Sequence, residues 1–160
     1  MQKCRWISIR KQSCAIVWLR IENRVVADDQ FRDNSVDAGE VGAGHTVTAL
    51  YEVKLYPKAQ GRVATVYLRW EDPDTHAITE LSKDFDSSEI AFDFRETDPY
   101  FQRAVVVVEY AEILKESYWA EDGSLSLVAN EAERINEYLY RDDVMDEFVN
   151  LVRLARRIKE

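Results

Sequence analysis

The sequence feature that most constrains the fold is a glycine-rich segment followed directly by an alternating one. Gly39, Gly42 and Gly44 are three of the five glycines in the chain. Glycine is favoured where the backbone adopts left-handed geometry, so this segment predicts a tight turn. In residues 46–55 mainly apolar side chains alternate with mainly polar ones, which predicts a β-strand with one buried face. The turn should fix the register of this strand, because a shift of one residue would reverse every side chain.

Alternating segments elsewhere predict further strands before residue 97. We expect strands at residues 5–10, 16–22, 46–55, 62–70, 76–82 and 90–95. Both faces of residues 62–70 are apolar, which indicates a central strand. The turn signals at residues 71–75 then predict that this strand forms a hairpin with residues 76–82.

After residue 97 the apolar residues follow the period of a helix. Asp98 suits an N-cap and Pro99 the first helical position, so we expect a helix from here to residue 116. Ser124 begins a second predicted helix, which ends near residue 139, and Asp142 or Asp143 begins a third. In the first helix the apolar residues at helical spacing are Phe101, Ala104, Val105, Val108, Ala111 and Leu114. In the third helix the predicted buried stripe is Val144, Phe148, Leu151, Val152 and Ala155.

The order of these elements predicts the fold class. Strands followed by helices indicate an α+β domain, with an antiparallel β-sheet or sandwich in the N-terminal two-thirds and about three C-terminal helices packed with it. A chain of 160 residues is long enough for one compact domain with its own core. We therefore expect a single domain over residues 1–160, with a β-rich part at 5–95 and a helical part at 97–160.

Charge and cysteine content restrict the classes of partner and cofactor. The formal net charge of −9 argues against a nucleic-acid surface and against binding to anionic lipid. No apolar run is long enough to span a bilayer. The two cysteines, Cys4 and Cys14, are too few for a disulfide scaffold or a cysteine-only metal site. They could lie near each other if residues 5–10 and 16–22 were neighbouring strands; buried thiols are the alternative.

The glycine-rich turn is the candidate site. From Gly39 to Thr46 its spacing matches a phosphate-binding loop with His45 in place of the lysine, but a strand follows where a helix is required. Asp37 and Glu40 would also repel phosphate, so a structural turn is favoured over nucleotide binding. His45 could hold the turn by hydrogen bonds, or act as a ligand or base. The candidate structural or functional residues are Asp37, Gly39, Glu40, Gly42, Gly44, His45 and Thr46.

Other polar groups predict neither a catalytic set nor a cofactor or metal site. The acidic loop at residues 28–37 has oxygens that Ca²⁺ could use but lacks an EF-hand pattern, so a solvated loop is favoured. The sequence has no nucleophile elbow, zinc motif or spaced Cys/His pair. The chain has four tryptophans, which are Trp6, Trp18, Trp70 and Trp119. Their side chains could line a carbohydrate site, although core packing is the commoner use of tryptophan in strands.

Three segments carry a resemblance to a known family. They are Asn23-Arg24, then Asp37-Ala-Gly-Glu40, then Gly42-Ala-Gly-His-Thr-Val-Thr-Ala-Leu-Tyr-Glu52. Together they resemble the C-terminal domain of bacterial von Willebrand factor type A (VWA) domain-containing proteins, over a region from Ile16 to the C-terminus. The family has a Gly-Tyr pair where this chain has Arg20 and Ile21. Because Asp86-Ser-Ser lacks the Asp-x-Ser-x-Ser spacing of the VWA metal site, the resemblance places that site upstream of this chain.

The resemblance implies a non-catalytic interaction or scaffold domain from the C-terminal part of a larger protein. Its expected partners are the VWA domain of the same polypeptide and unidentified protein ligands, and an exposed sheet edge predicts a possible homodimer. The family is often associated with the bacterial cell envelope, with the cytoplasm as the alternative compartment. The competing hypothesis is a small carbohydrate-binding or hydrolase-like sandwich that uses the acidic loop and His45.

Overall fold

The fold consists of strands followed by helices, which confirms the predicted α+β class. A computed structural model of the chain describes residues 2–8, 13–19, 31–36, 44, 46, 48–139 and 142–159, with residues 2–8, 13–19 and 119 described by their backbone alone. The chain divides into two compact units between Ile90 and Ala91. That it is a single domain of a longer protein stays a prediction.

Antiparallel strands make up the first unit. The described residues form β1 (Gln2–Ser8), β2 (Ser13–Leu19), β3 (Leu50–Leu55), β4 (Arg62–Glu71) and β5 (Ile78–Asp86). One sheet has the order β1-β4-β5 and the other pairs β2 with β3. The central position of β4 and its hairpin with β5 are therefore confirmed, while a sandwich stays a prediction. Cys4 and Cys14 were expected to lie near each other if their strands were neighbours. β1 and β2 lie in different sheets, so that condition is not met.

The strand after the glycine-rich turn is shorter than predicted. It begins at Leu50, and residues 46, 48 and 49 are not in a strand. Within it Tyr51, Val53 and Leu55 are half-buried, whereas Glu52 and Lys54 are exposed. The predicted alternation is thus confirmed over residues 51–55, whereas Leu50, on the face of Glu52 and Lys54, is half-buried.

The predicted strand at residues 90–95 is wrong. Two single-turn 3₁₀ helices, Ser87–Glu89 and Phe94–Glu96, occupy this region. Each follows an aspartate that accepts a hydrogen bond from a backbone amide two residues later, Asp86 from Ser88 at 3.0 Å and Asp93 from Arg95 at 2.9 Å. These local bonds compete with strand pairing, so the alternation of apolar residues does not produce a strand.

The described residues of the second unit form three α-helices. They are α1 (Pro99–Leu114), α2 (Leu125–Tyr138) and α3 (Asp143–Lys159), and a 3₁₀ turn at Tyr118–Ala120 lies between the first two. Asp98 caps α1 by accepting bonds from two backbone amides, and Ser124 caps α2 by accepting one from the amide of Ser126. Both predicted helix starts are confirmed, and α1 includes the β-branched run at residues 105–108.

Ion pairs show how the helices run relative to one another. Arg103 near the start of α1 contacts Asp142 at the start of α3, with 2.6 Å between Nη1 and Oδ2. Glu116 just after α1 contacts Lys159 at the end of α3. These two helices are therefore parallel.

The remaining helix, α2, is antiparallel to both of its neighbours. Asn136 near its end bonds Asp146 near the start of α3, and Glu133, one turn earlier, pairs with Arg153 further along α3. The contacts between α1 and α2 complete an up-down-up bundle. None of the described helices is both long enough and apolar enough to cross a bilayer.

The core of the bundle uses only part of the stripes predicted on α1 and α3: Val152 is buried as predicted, and Phe148 and Ala155 pack against the core. Its members are Val106, Tyr110, Leu125, Val128, Ala129, Ala132, Ile135, Leu139, Met145, Val149 and Val152. On α3 the buried stripe is Met145, Val149 and Val152, while Val144 and Leu151 are exposed, so their predicted burial is wrong. On α1, Phe101 and Leu114 are exposed and the helix buries Gln102 instead. Both helices carry apolar residues on more than one face, and periodicity does not show which face meets the core.

Candidate functional site

Two residues of the predicted glycine-rich site lie within the described part of the chain. Gly44 has φ +79°, and among the described residues no heavy atom lies within 4 Å of where its Cβ would be. Its left-handed backbone suits glycine to this position in the turn. Thr46 is exposed. The other candidates, Asp37, Gly39, Glu40, Gly42 and His45, lie outside the described residues, so the phosphate-loop and hydrolase interpretations stay predictions.

The described part of the predicted acidic loop is residues 31–36, and it contains a turn. Asp33 Oδ1 accepts hydrogen bonds from the Ser35 amide at 2.9 Å and from the Ser35 hydroxyl at 2.7 Å. This confirms the turn expected from Asp33, Asn34 and Ser35. Among the described residues, no three His, Cys, Asp or Glu side chains form a group that could hold a metal ion.

Residues 31–36 pack on one face of the β1-β4-β5 sheet. Phe31 is 2% exposed and makes an edge-to-face contact with Tyr67 on β4, with 6.5 Å between ring centroids. Arg69, also on β4, donates from Nη2 to Asn34 Oδ1 at 2.8 Å. An apolar contact and a polar contact therefore fix this short segment to the sheet.

Glu80 on β5 is the central charge of this contact. Arg32 Nη2 donates to its Oε1 at 2.8 Å and Arg32 Nε to its Oε2 at 3.3 Å, an arrangement in which both carboxylate oxygens are bound. Arg69, which lies directly opposite Glu80 in the strand register, adds a third bond at 3.3 Å. The hydrogen bonds from Arg32, with the charges of both arginines, hold the pKa of Glu80 below its ordinary value.

A second carboxylate on the same sheet face is held in a similar way. Asp84 accepts a 2.6 Å bond from the hydroxyl of the buried Thr65 and a 3.1 Å bond from Arg62 Nη1. The Thr65 hydroxyl is the largest cause that lowers the pKa of Asp84, and Arg62 follows. A general acid or base works best with a pKa near the working pH. Both carboxylates are shifted away from that range, so the arrangement is suited to holding structure.

The lowered pKa of Glu80 predicts a pH dependence of stability. Its carboxylate binds protons more weakly in the folded chain than in the unfolded chain, so the stabilisation is complete above the ordinary value of 4.5 and is lost as the pH falls below it. We expect the free energy of unfolding in urea to fall between pH 5 and about pH 3. Glu80→Gln should make that fall shallower, and Glu52→Gln on the exposed face of β3 is the matched control. An equal slope for Glu80→Gln and the wild type would refute the assignment.

The opposite face of the same sheet exposes apolar side chains. Leu68 on β4 and Leu81 on β5 lie directly opposite each other and are 39% and 57% exposed. Val66 and Trp70, which share their face of β4, are half-buried. We call Val66, Leu68, Trp70 and Leu81 the Leu68–Leu81 face. In the sequence, this face is indicated only by the apolar residues on both faces of β4. That pattern predicts a central strand and does not show which face is covered.

A shallow groove of about 460 Å³ runs along α2 and α3 and is lined mainly by polar groups. Arg153 Nε donates to Glu133 Oε1 at 2.7 Å, and Asn136 Nδ2 donates to Asp146 Oδ1 at 2.6 Å. These bonds join the two helices. The groove is therefore part of the contact between α2 and α3.

Three of the four tryptophans lie in strands, as predicted. Trp6, Trp18 and Trp70 lie in β1, β2 and β4, and Trp119 lies in the 3₁₀ turn after α1. The half-buried Trp70 belongs to the Leu68–Leu81 face, where it extends the apolar surface next to Leu68.

Comparison with protein families identifies the chain. The family described as "Uncharacterized protein YfbK, C-terminal" matches residues 18–62 and 54–158, which together cover most of the sequence. The chain belongs to this family. No curated protein and no solved structure matches it. Membership of the YfbK C-terminal family confirms that the chain belongs to a family of C-terminal domains, as the resemblance implied.

Proposed function

We propose that the chain is a non-catalytic interaction domain that packs against a VWA domain of the same, longer polypeptide. The observation that carries the proposal is the Leu68–Leu81 face. Two leucines directly opposite each other on neighbouring strands form a continuous apolar surface, and exposed surfaces of this kind mark sites of interaction.

The two faces of the β1-β4-β5 sheet differ in a way that supports this role. One face is covered by residues 31–36, where Phe31 is buried against Tyr67 and the charges are paired. The other face presents Leu68 and Leu81, with the exposed Lys83 beside them. An apolar sheet face is stabilised when a second layer covers it. A folded domain offers such a layer more readily than a small polar ligand does.

A VWA domain is proposed as that layer because of the resemblance in sequence. The chain belongs to a family of C-terminal domains, and the segments from Asn23 to Glu52 resemble those that follow a VWA domain. Interfaces between domains of one chain are commonly moderate in size and partly polar. In this role the chain supports the VWA domain while that domain binds a protein ligand through its metal ion.

The carboxylates of the covered face support a structural role for the chain. The pKa values of Glu80 and Asp84 are both lowered by hydrogen bonds to neighbouring side chains. Each of these bonds joins elements of the fold to one another. The two carboxylates therefore hold the sheet together beneath the apolar face.

The experiment is a titration of the isolated VWA domain with this chain by calorimetry. We expect binding by the wild type, and binding at least about tenfold weaker for the double variant Leu68→Arg/Leu81→Arg, because two central apolar contacts are lost and two charges are buried. Leu127→Arg changes an exposed leucine of α2 and is the matched control, expected to bind as the wild type does. Equal melting temperatures would show that each variant is folded. Undiminished binding by the double variant, or no binding by the wild type, would refute the proposal.

A further inference from the structure

We propose that α3 pairs with α3 of a second copy of this chain, antiparallel and across a two-fold axis. The helix has a second apolar stripe besides the one that faces the core. Its members are Val144, Leu151, Leu154 and Ile158, which are 72%, 50%, 55% and 76% exposed. We call this set the outer stripe.

The outer stripe has the spacing of a helix–helix seam. Val144, Leu151 and Ile158 recur every seven residues, and Leu154 lies between the last two. At about 100° per residue the stripe is centred roughly 140° away from the core residues Met145, Val149 and Val152. The packing of α2 against the core face therefore leaves the outer stripe available for another helix.

The charges along α3 indicate which helix fits. The first half carries Asp143, Asp146 and Glu147, and the second half carries Arg153, Arg156, Arg157 and Lys159. A parallel partner with the same sequence would place like charges side by side. An antiparallel one places the acidic half of each helix opposite the basic half of the other, which is electrostatically favourable. This self-complementarity selects a second copy of the chain as the partner.

The residues that precede each member of the heptad series set the register. They are Asp143, Asn150 and Arg157, one position before Val144, Leu151 and Ile158. With the two-fold axis at Asn150, Asp143 of each copy lies opposite Arg157 of the second copy, and the two Asn150 side chains meet at the axis. Glu147 lies seven residues before Leu154 and therefore within the stripe, where its carboxylate interrupts and shortens the apolar seam.

This surface is distinct from the one in the proposed function. The outer stripe belongs to the helical unit, whereas the Leu68–Leu81 face belongs to the strand unit. It also differs from the sheet edge that the sequence suggested for a dimer. Failure of one proposal therefore leaves the other standing.

The test is sedimentation equilibrium of the full 160-residue chain over micromolar to several hundred micromolar concentrations. We expect a reversible dimer for the wild type. Asp143→Arg and Arg157→Asp each replace two attractive pairs by two repulsive ones, so each variant alone should dimerise about tenfold more weakly. An equimolar mixture of the two variants restores opposite charges at both positions and should form a heterodimer with wild-type affinity.

Further variants separate this contact from other causes of association. Leu151→Glu should abolish the dimer, whereas Leu68→Arg/Leu81→Arg should leave it unchanged, and circular dichroism should show folded helices in every case. Three results would overturn the proposal: a monomeric wild type at all concentrations, charge variants that dimerise as the wild type does, or a mixture of variants that fails to associate. The mixture is decisive because a general loss of folding or solubility would not be repaired by mixing.

Discussion

Replacing Ile135 by alanine is expected to lower the free energy of unfolding by about 2–5 kcal/mol. Ile135 is 0% exposed and lies on α2, the helix that packs against both α1 and α3. Around it Ala132 and Val152 are also completely buried, so the deleted atoms would leave a cavity that neighbouring side chains fill only in part. The loss combines the transfer free energy of the removed methylene groups with the cost of that cavity.

The measurement for Ile135→Ala is urea denaturation followed by helical circular dichroism. Leu127→Ala on the same helix is the matched control, because Leu127 is exposed and its truncation should change stability by less than about 0.5 kcal/mol. Equal losses for the two variants would contradict the position of the core between the three helices.

Replacing Gln102 by leucine is expected to cost about 3 kcal/mol although leucine is nearly the same size and more apolar. Gln102 is 3% exposed. Its Nε2 donates to the Thr97 carbonyl at 2.6 Å and to the Arg95 carbonyl at 3.3 Å, and its Oε1 accepts from Arg134 Nη2 at 2.6 Å. The leucine would remove one hydrogen-bond partner from each of these three groups in a part-buried region.

The same denaturation experiment distinguishes lost hydrogen bonds from a general effect on α1. Asn130→Leu replaces an exposed amide on α2 and should be close to neutral. The double variant Gln102→Leu/Arg134→Leu should cost less than the sum of its two single variants, because each single variant already breaks their shared bond. A stabilising Gln102→Leu would show that the buried amide contributes nothing to the junction between residues 95–97 and α2.

The parts of the fold that follow from the sequence depend on short-range chemistry. Asp98 with Pro99 and Ser124 mark the starts of α1 and α2, because N-cap bonds join residues two or three apart. The hairpin of β4 and β5 follows from the turn between two alternating segments. These features are encoded within a few residues, so a single sequence is enough to predict them.

Features that depend on distant residues could not be predicted. Arg32 and Glu80 are 48 positions apart, and nothing in their local sequence indicates that they bind each other. The exposed leucines of the Leu68–Leu81 face look like core residues in the sequence, because apolar character does not show which surface another layer covers. For the same reason the outer stripe of α3 was predicted in part as a core stripe, with Val144 and Leu151 assigned to the interior.

The central claim is that the Leu68–Leu81 face is covered by the VWA domain. Hydroxyl-radical footprinting of this chain, alone and joined to the proposed VWA domain, tests the claim directly at individual side chains. We predict that Leu68, Leu81 and Trp70 are oxidised more slowly in the longer polypeptide, while Leu127 on α2 reacts equally in both. Equal oxidation of Leu68 and Leu81 in the two proteins would contradict the claim.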